Sequence, residues 1–340
     1  MPISKEYIIK RLILLIAVVF GVAIITFIIT RVVPSHPEFL WAGAHPTKEQ
    51  LEKARRELRL DQPIYVQLYY YLLDFLTGNW GVSWRTRQPV LKDIQAALPA
   101  TLELVSLAFI IALIIGIPLG VLAALKRNTR IDDLIRIVTI TGASIPVFWL
   151  ALVLQLILSS WLGILPSAKR VDEYIIYETK FKEITGFILL DSLIQGNLQV
   201  FINALKHIIL PALVISFYPL GLSARMTRAV MIDVLNEFHT KSLAAWGLPK
   251  RVIIYKYALK NTIAPVIGVL GLSFGYTIIG AFLVEVIFVW PGIGYYAASA
   301  LISYDYPAVI GCIVTAAIIY AIINTIVDIL HAIIDPRVRI

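Results

Sequence analysis

The chain has 340 residues, 59% of them hydrophobic and 15% charged, with a net charge of +8 and a mean hydropathy of +0.82. Soluble domains run at about 45–50% apolar and about 25% charged, so a disordered chain, a coiled coil and an ordinary water-soluble enzyme are excluded. A positive balance suggests nucleic acid in a soluble protein but Lys/Arg-rich cytoplasmic loops in a membrane protein, and the position of the charges separates the two.

Six stretches free of Asp, Glu, Lys and Arg approach the ~20 residues that a membrane helix needs: 12–30, 104–125, 137–168, 208–224, 261–284 and 306–327. The first is read as a retained helix. Its 19 residues exceed a signal h-region of about 7–15, and the cleavage-like Ala42-Gly43-Ala44 lies well past its end. The third is long for one helix and short for two, and is read as one span with an interfacial extension near Trp161. The fourth is shorter and holds Pro211 and Pro219. Gly116-x₃-Gly120 and Gly271-x₃-Gly275 are small-residue pairs that let helices approach closely. Spans without ionisable side chains argue against coupling to an ion gradient.

Two segments between spans are too long for simple connectors. In 34–103, Thr47 and Gln50 fit a capping box for a helix with Leu51, Ala54 and Leu58 on one face. The aromatic run Tyr69-Tyr70-Tyr71, Phe75, Trp80 and Trp84 suits an interfacial helix or a platform that stacks sugars or peptides. In 166–207, Phe187-Ile188-Leu189-Leu190 suggests a small packed element. The single cysteine, Cys312, reads as a buried hydrophobe, and no intrachain disulfide or cysteine-based metal site can form.

With the N-terminus inside, residues 1–11, 126–136 and 225–260 carry net charges of +2, +2 and +5, and the C-terminal end balances. The inner side totals +9 and the outer side, including Glu285 and Asp305, −1. That asymmetry predicts both termini in the cytoplasm and removes the case for nucleic acid.

The loop 225–260 is the most informative part. Thr240 is a candidate N-cap, Gly247 a helix stop and Pro249 a first-turn residue of the next helix. The pattern predicts a helix of about two turns, a sharp bend, and a second helix from Pro249 towards Asn261. Leu243, Ala244 and Trp246 on that short helix suit a partner's groove and equally an internal packing role.

This loop resembles the "EAA" loop through which ABC-type import permeases couple to their ATPases, with Gly247 as its fixed glycine and Leu259 as its downstream leucine. Lys241-Ser242-Leu243 stands in place of Glu-Ala-Ala and Lys260 in place of a common proline. Both departures are similar to the branch that imports di- and oligopeptides, as is Pro265. Further matches are Lys10-Arg11-Leu12, Leu98-Pro99-Ala100-Thr101-Leu102-Glu103-Leu104, Gly116-Ile117-Pro118-Leu119-Gly120, Leu210-Pro211-Ala212-Leu213, Trp290-Pro291-Gly292-Ile293-Gly294, Asp305-Tyr306-Pro307 and Asp335-Pro336-Arg337. Their order and spacing cover the chain from about residue 8 to the end, with 169–200 the least typical stretch.

The resemblance implies an all-α polytopic permease of the type I importer fold, with six transmembrane helices and both termini cytoplasmic. Residues 1–33 would form the N-terminal segment and first helix, 34–103 a helical external segment, and 104–340 the core, with an external insert at 166–207 and a coupling loop at 225–260. The coupling residues would be Lys241, Ser242, Leu243, Ala244, Ala245, Trp246, Gly247, Leu248, Arg251 and Leu259. Partners would be a second homologous permease, two ABC ATPase subunits, an external solute-binding protein and membrane lipid, in a prokaryotic plasma membrane. The chain has no phosphate-binding G-x-x-x-x-G-K-[ST] loop, so ATP and magnesium would sit on the partner ATPases, with no cofactor here. Di- or oligopeptides are the expected cargo, oligosaccharides or nickel the alternatives, and an ATP-independent channel or carrier a remote one. Gly271-Leu272-Ser273-Phe274-Gly275 matches the G-x-S-x-G nucleophile motif, but it falls mid-span. His36, His45, His207, His239 and His331 all lie outside the spans.

Overall fold

The computed structural model describes residues 5–33, 36–42 and 46–334. Gly43, Ala44, His45 and the Asp335-Pro336-Arg337 motif lie outside the described residues, as does the His331 side chain. Helices α1 (Lys5–Phe27), α2 (Pro37–Ala42), α3 (Lys48–Leu58) and α4 (Ile64–Thr77) lead to the long α5 (Val90–Leu125). Then come α6 (Arg130–Ser144), α7 (Val147–Gln155), α8 (Glu173–Thr179) and α9 (Ile188–Ile194). The second half is α10 (Leu198–Asn236), α11 (Phe238–Ala245), α12 (Lys250–Val252), α13 (Leu259–Ile287), α14 (Ile293–Ile302) and α15 (Tyr306–Ile334). Three π-helical turns continue α1 (Ile28–Val32), continue α7 (Leu156–Trp161), and join α12 to α13 (Ile253–Ala258). Among the described residues the only β-type contact is the isolated bridge between Val82 and Pro89.

Among the described residues five helices are long and apolar enough to cross a membrane, or six if the bent pair α6–α7 is counted as one span. The core is the α5–α10 pair with α13 laid against it. Gly120 sets the pair's separation. A Cβ there would stand 2.6 Å from the Ala224 carbonyl oxygen and from Thr227 on α10. Gly116 meets Ser223 in the same way, while Gly271 and Gly275 seat α13 on Val327 and Tyr320 of α15. Both small-residue pairs therefore pack helices, and no hydrophobic drive is needed for that contact in lipid. α1 lies at the edge of the bundle against α15, where Arg11 pairs with Asp328 at 2.7 Å.

Two expectations need correction. The stretch 137–168 is not one unbroken helix: α6 and α7 meet at 101°. Pro146 lacks an amide donor and forces Ile145 into extended backbone (ψ 132°). The fourth span is not short, because α10 is a 39-residue helix that continues through Pro211 and Pro219. The charge-free stretches are also shorter than the helices that contain them, which carry buried charges just beyond their ends. Glu103 of α5, Asp132 of α6 and Glu285 of α13 are all buried. A charge-free window stops at the first ionisable side chain, whereas a helix continues when that side chain finds a partner.

The segment before α5 follows its local code. The Thr47–Gln50 capping box opens α3, with Gln50 N donating to Thr47 Oγ1 and Thr47 N to Gln50 Oε1 at 2.8 Å. Ala54 and Leu58 face inward. Within 166–207, Ile175, Phe181, Ile188, Val200 and Ala204 form a small core of their own, the packed element expected from Phe187-Ile188-Leu189-Leu190.

Candidate coupling site and its supporting frame

The long helix α10 ends at Asn236, Glu237 is extended (ψ 151°), and α11 starts at once. Glu237 supplies the N-cap carbonyl, accepting from Lys241 N at 3.1 Å. Thr240 is therefore not the N-cap. It sits inside α11, buried, with Oγ1 unpartnered.

The C-terminal end of α11 is a Schellman motif. Leu248 N donates to the Leu243 carbonyl at 3.2 Å, Gly247 N to the Ala244 carbonyl at 3.0 Å, and Gly247 is left-handed at φ +79°. Nothing lies within 4 Å of a Cβ built at Gly247, so the glycine serves the backbone and not a close contact. Pro249 then precedes α12, and the π turn that follows buries Ile254 and Ala258 against Met231 and Val234 of α10. The expected second helix and the fifth span are thus one continuous helix, Lys250–Ile287.

This scaffold leaves an aromatic end exposed. Trp246 is 78% exposed and Phe238 87%, with Tyr255 on the following turn also exposed. Lys241, Ala244, Ala245 and Arg251 are exposed too, while Ser242, Leu243, Leu248 and Leu259 are half-buried. The structure thus brings residues 241–248 and Arg251 to one end of the molecule and leaves Leu259 beneath them, inside the helix pair. Sequence reasoning passed over Phe238 and Tyr255. Aromatic side chains within a charged loop were the available signal.

Behind this end, Arg228 of α10 holds Asp132 of α6 through two hydrogen bonds of 2.6 Å each, a fork-to-carboxylate geometry. Asp132 also accepts from Asn128 N at 3.0 Å. Further along, Gly221 of α10 lies against the Thr139 carbonyl of α6. α6 is therefore fastened to α10 at two levels, with the Pro146 break beyond the second.

At the opposite end, two of the family-like motifs meet. Thr101 Oγ1 donates to Glu285 at 2.7 Å and accepts from Ile293 N at 2.8 Å. Gly294 N donates to Glu285 at 2.7 Å, and Trp290 Nε1 to the Ala100 carbonyl at 2.8 Å. A Cβ at Gly292 would run into the Glu285 carboxylate. Glu285, 0% exposed, pins the turn after α13 onto α5. Arg170 likewise pairs with Glu103, and Asp305 accepts from Ser83 Oγ. Glu285 and Asp305, counted by sequence on the outer side, are both buried. Ser273 lies in mid-α13 and donates to the Leu270 carbonyl at 2.7 Å, a helical setting and not the strand-to-helix turn its motif requires.

Comparison with known proteins agrees with this frame. Residues 116–340 match the family described as binding-protein-dependent transport system inner membrane component. Residues 5–105 match that system's N-terminal membrane component. The chain belongs to this family. It is 44% identical over 324 residues to the probable D,D-dipeptide transport system permease protein DdpB of Escherichia coli, covering 95% of this chain and 94% of that protein. It is 38% identical to the dipeptide permease DppB of Alkalihalophilus pseudofirmus, covering 98% and 99% of the two chains. It is also 38% identical to the di/tripeptide permease DppB of Pseudomonas aeruginosa, covering 98% of each. As a family member with several membrane-length helices, the chain is a multi-pass membrane component of a transport system. In this chain the resemblance motifs serve as staples: Arg11 joins α1 to α15, Thr101 and Trp290 join the turn after α13 to α5, and Asp305 caps α15.

Proposed function

We propose that this chain is the membrane-spanning permease subunit of an ATP-driven importer of di- and oligopeptides. The observation that carries the reading is the exposed aromatic end of α11, a two-turn helix held rigid by its Schellman stop and fused through Glu237 to α10. Three large aromatic side chains, Phe238, Trp246 and Tyr255, left exposed within one loop suit a contact surface. The partner is an ATPase subunit, one of two, and residues 241–248 with Arg251 form the surface it grips. A second permease completes the path, and an external binding protein delivers solute. The relatives named above are peptide permeases, which favours peptides over oligosaccharides and nickel.

Closure of the ATPases on ATP moves α11. α10 follows as its continuation, and α6 follows α10 through Asp132–Arg228, with Ile145–Pro146 as the hinge to α7. ATP supplies the differential stabilisation of two states and the permease transmits it. Both termini and α11 face the cytoplasm of a prokaryotic cell.

The test is peptide uptake by the complete complex carrying Ala245→Asp or Gly247→Trp. Both variants insert in the membrane at wild-type levels and lose ATP-dependent uptake. Full uptake by either would remove this surface from the coupling role. ATP-independent peptide flux through the purified chain in liposomes would replace the importer with a channel or carrier.

A further inference from the structure

A cavity of about 920 Å³ lies where α1 ends, between α3, α4, residues 79–87 and the start of α15. It is at the opposite end of the bundle from α11. Its apolar side is built from Trp41, Tyr71, Phe75 and Trp80, and its floor from Ile310 and Val314 of α15. Its polar side carries five cations, Arg31, Lys53, Arg56, Arg59 and Arg87, against the two carboxylates Glu57 and Asp74. Both carboxylates are engaged: Glu57 accepts from Trp41 Nε1 at 3.0 Å and Asp74 from Asn79 at 3.2 Å. Arg31 spends one donor on the Leu58 carbonyl at 2.6 Å and lies 5.9 Å from the Trp41 ring. Among the described residues, Arg31, Arg59 and Arg87 make no ion pair with a carboxylate. The cavity is thus cationic and lined in part by rings.

Its depth identifies the occupant. Arg31 stands at the end of the apolar span Ile9–Val32, and the wall from α15 opens the span Tyr306–Ile329. α1 and the π turn that continues it put Ile13, Ile16, Ile25 and Ile29 outward, as a helix facing lipid does. α4, next to it, exposes Ile64, Tyr65, Tyr69 and Leu76, the mixture of aromatic and apolar side chains that sits at headgroup level. The cavity is cationic and lies where two apolar spans end, beside helices whose outer faces are apolar and aromatic. We propose that it binds the phosphate headgroup of one anionic phospholipid, with Arg59 and Arg87 on the phosphate and the aromatic wall against the glycerol and first methylenes. The site does not depend on what the chain transports.

Native mass spectrometry tests this on the full chain released from nanodiscs of phosphatidylcholine with a minority of phosphatidylglycerol. The chain retains phosphatidylglycerol in preference to phosphatidylcholine. Arg59→Gln and Arg87→Gln each weaken retention about fivefold, the effect of one cation near a membrane surface. Arg87→Lys keeps it, as does the remote charge loss Lys182→Gln. Neither inorganic phosphate nor a dipeptide with a free carboxylate displaces the lipid. Equal retention of the two lipids, or equal weakening by Lys182→Gln, overturns the site. Displacement by phosphate makes it a site for free anions, and displacement by dipeptide makes it a cargo site; either also overturns the proposal.

Discussion

At Gly247 the backbone is left-handed and the surrounding space is open. Those two facts separate strain from steric clash. Gly247→Ala costs about 1 kcal/mol of backbone strain and no packing, so α11 frays at its end while the bundle is unchanged. Hydrogen exchange checks this: the amides of Gly247 and Leu248, which close the Schellman motif, lose protection and those of α10 do not.

Asp191 offers a second residue-scale case. Burial by itself would raise its carboxyl. Hydrogen bonds from Thr185 Oγ1 at 2.6 Å and from the amides of Ile184, Thr185 and Gly186 outweigh this and hold it below the ordinary aspartate range. A depressed folded value means a contribution that is complete above the unfolded pKa, about 4, and is lost as pH falls through the folded one. Protection of the amides at 184–186, taken relative to their intrinsic exchange at each pH, therefore falls on acidification in the wild type. In Asp191→Asn that protection is already low at neutral pH and does not change further with acid.

At the scale of elements, the α6–α10 fastening is the connection to break. Arg228→Gln leaves Asp132 buried without its ionic partner, a loss of about 3–5 kcal/mol for a buried pair. Arg228→Gln with Asp132→Asn replaces the ion pair by two amides and recovers part of it. Thermal denaturation of the purified chain ranks the three proteins: wild type above the double variant, and the double variant above Arg228→Gln. A double variant no more stable than the single one would show that the charge left behind is not what costs. If α6 rides on α10 during transport, the double variant also keeps basal ATP hydrolysis in the complex while losing peptide uptake.

Local signals explain much of the element structure. Thr47 and Gln50 mark a helix start because both hydrogen bonds are made within four residues. Gly247 marks a helix stop because its positive φ is a property of one residue. The same local logic failed at Thr240. A threonine before an apolar run is a good N-cap, yet α10 and α11 abut so closely that Glu237 already occupies that position. Pro146, one proline among several in apolar stretches, breaks its span, while α10 passes through Pro211 and Pro219. No local pattern distinguishes them. In α10 the neighbouring α5 and α13 hold the helix straight enough to continue.

For the whole molecule, topology is the quantity to measure. Cys312 is the only cysteine and is buried, so an introduced cysteine is labelled against a quiet background. In intact cells a membrane-impermeant maleimide labels Tyr177→Cys on the 166–207 insert and spares Trp246→Cys. Inverted vesicles give the reverse. Both positions are about four-fifths exposed in the isolated chain. Labelling of both from one side would overturn the orientation read from the charge asymmetry.

The sequence by itself determined the class, the start of α3, the stop of α11 and the family, because hydropathy, caps and motif order are written in consecutive residues. The tertiary structure alone decided what the charges at the span ends do. Glu285 finds Thr101 from 184 positions away and Arg228 finds Asp132 from 96. A buried charge is stable only when its partner is in place, and partnership at that separation is a property of packed helices that no local window contains.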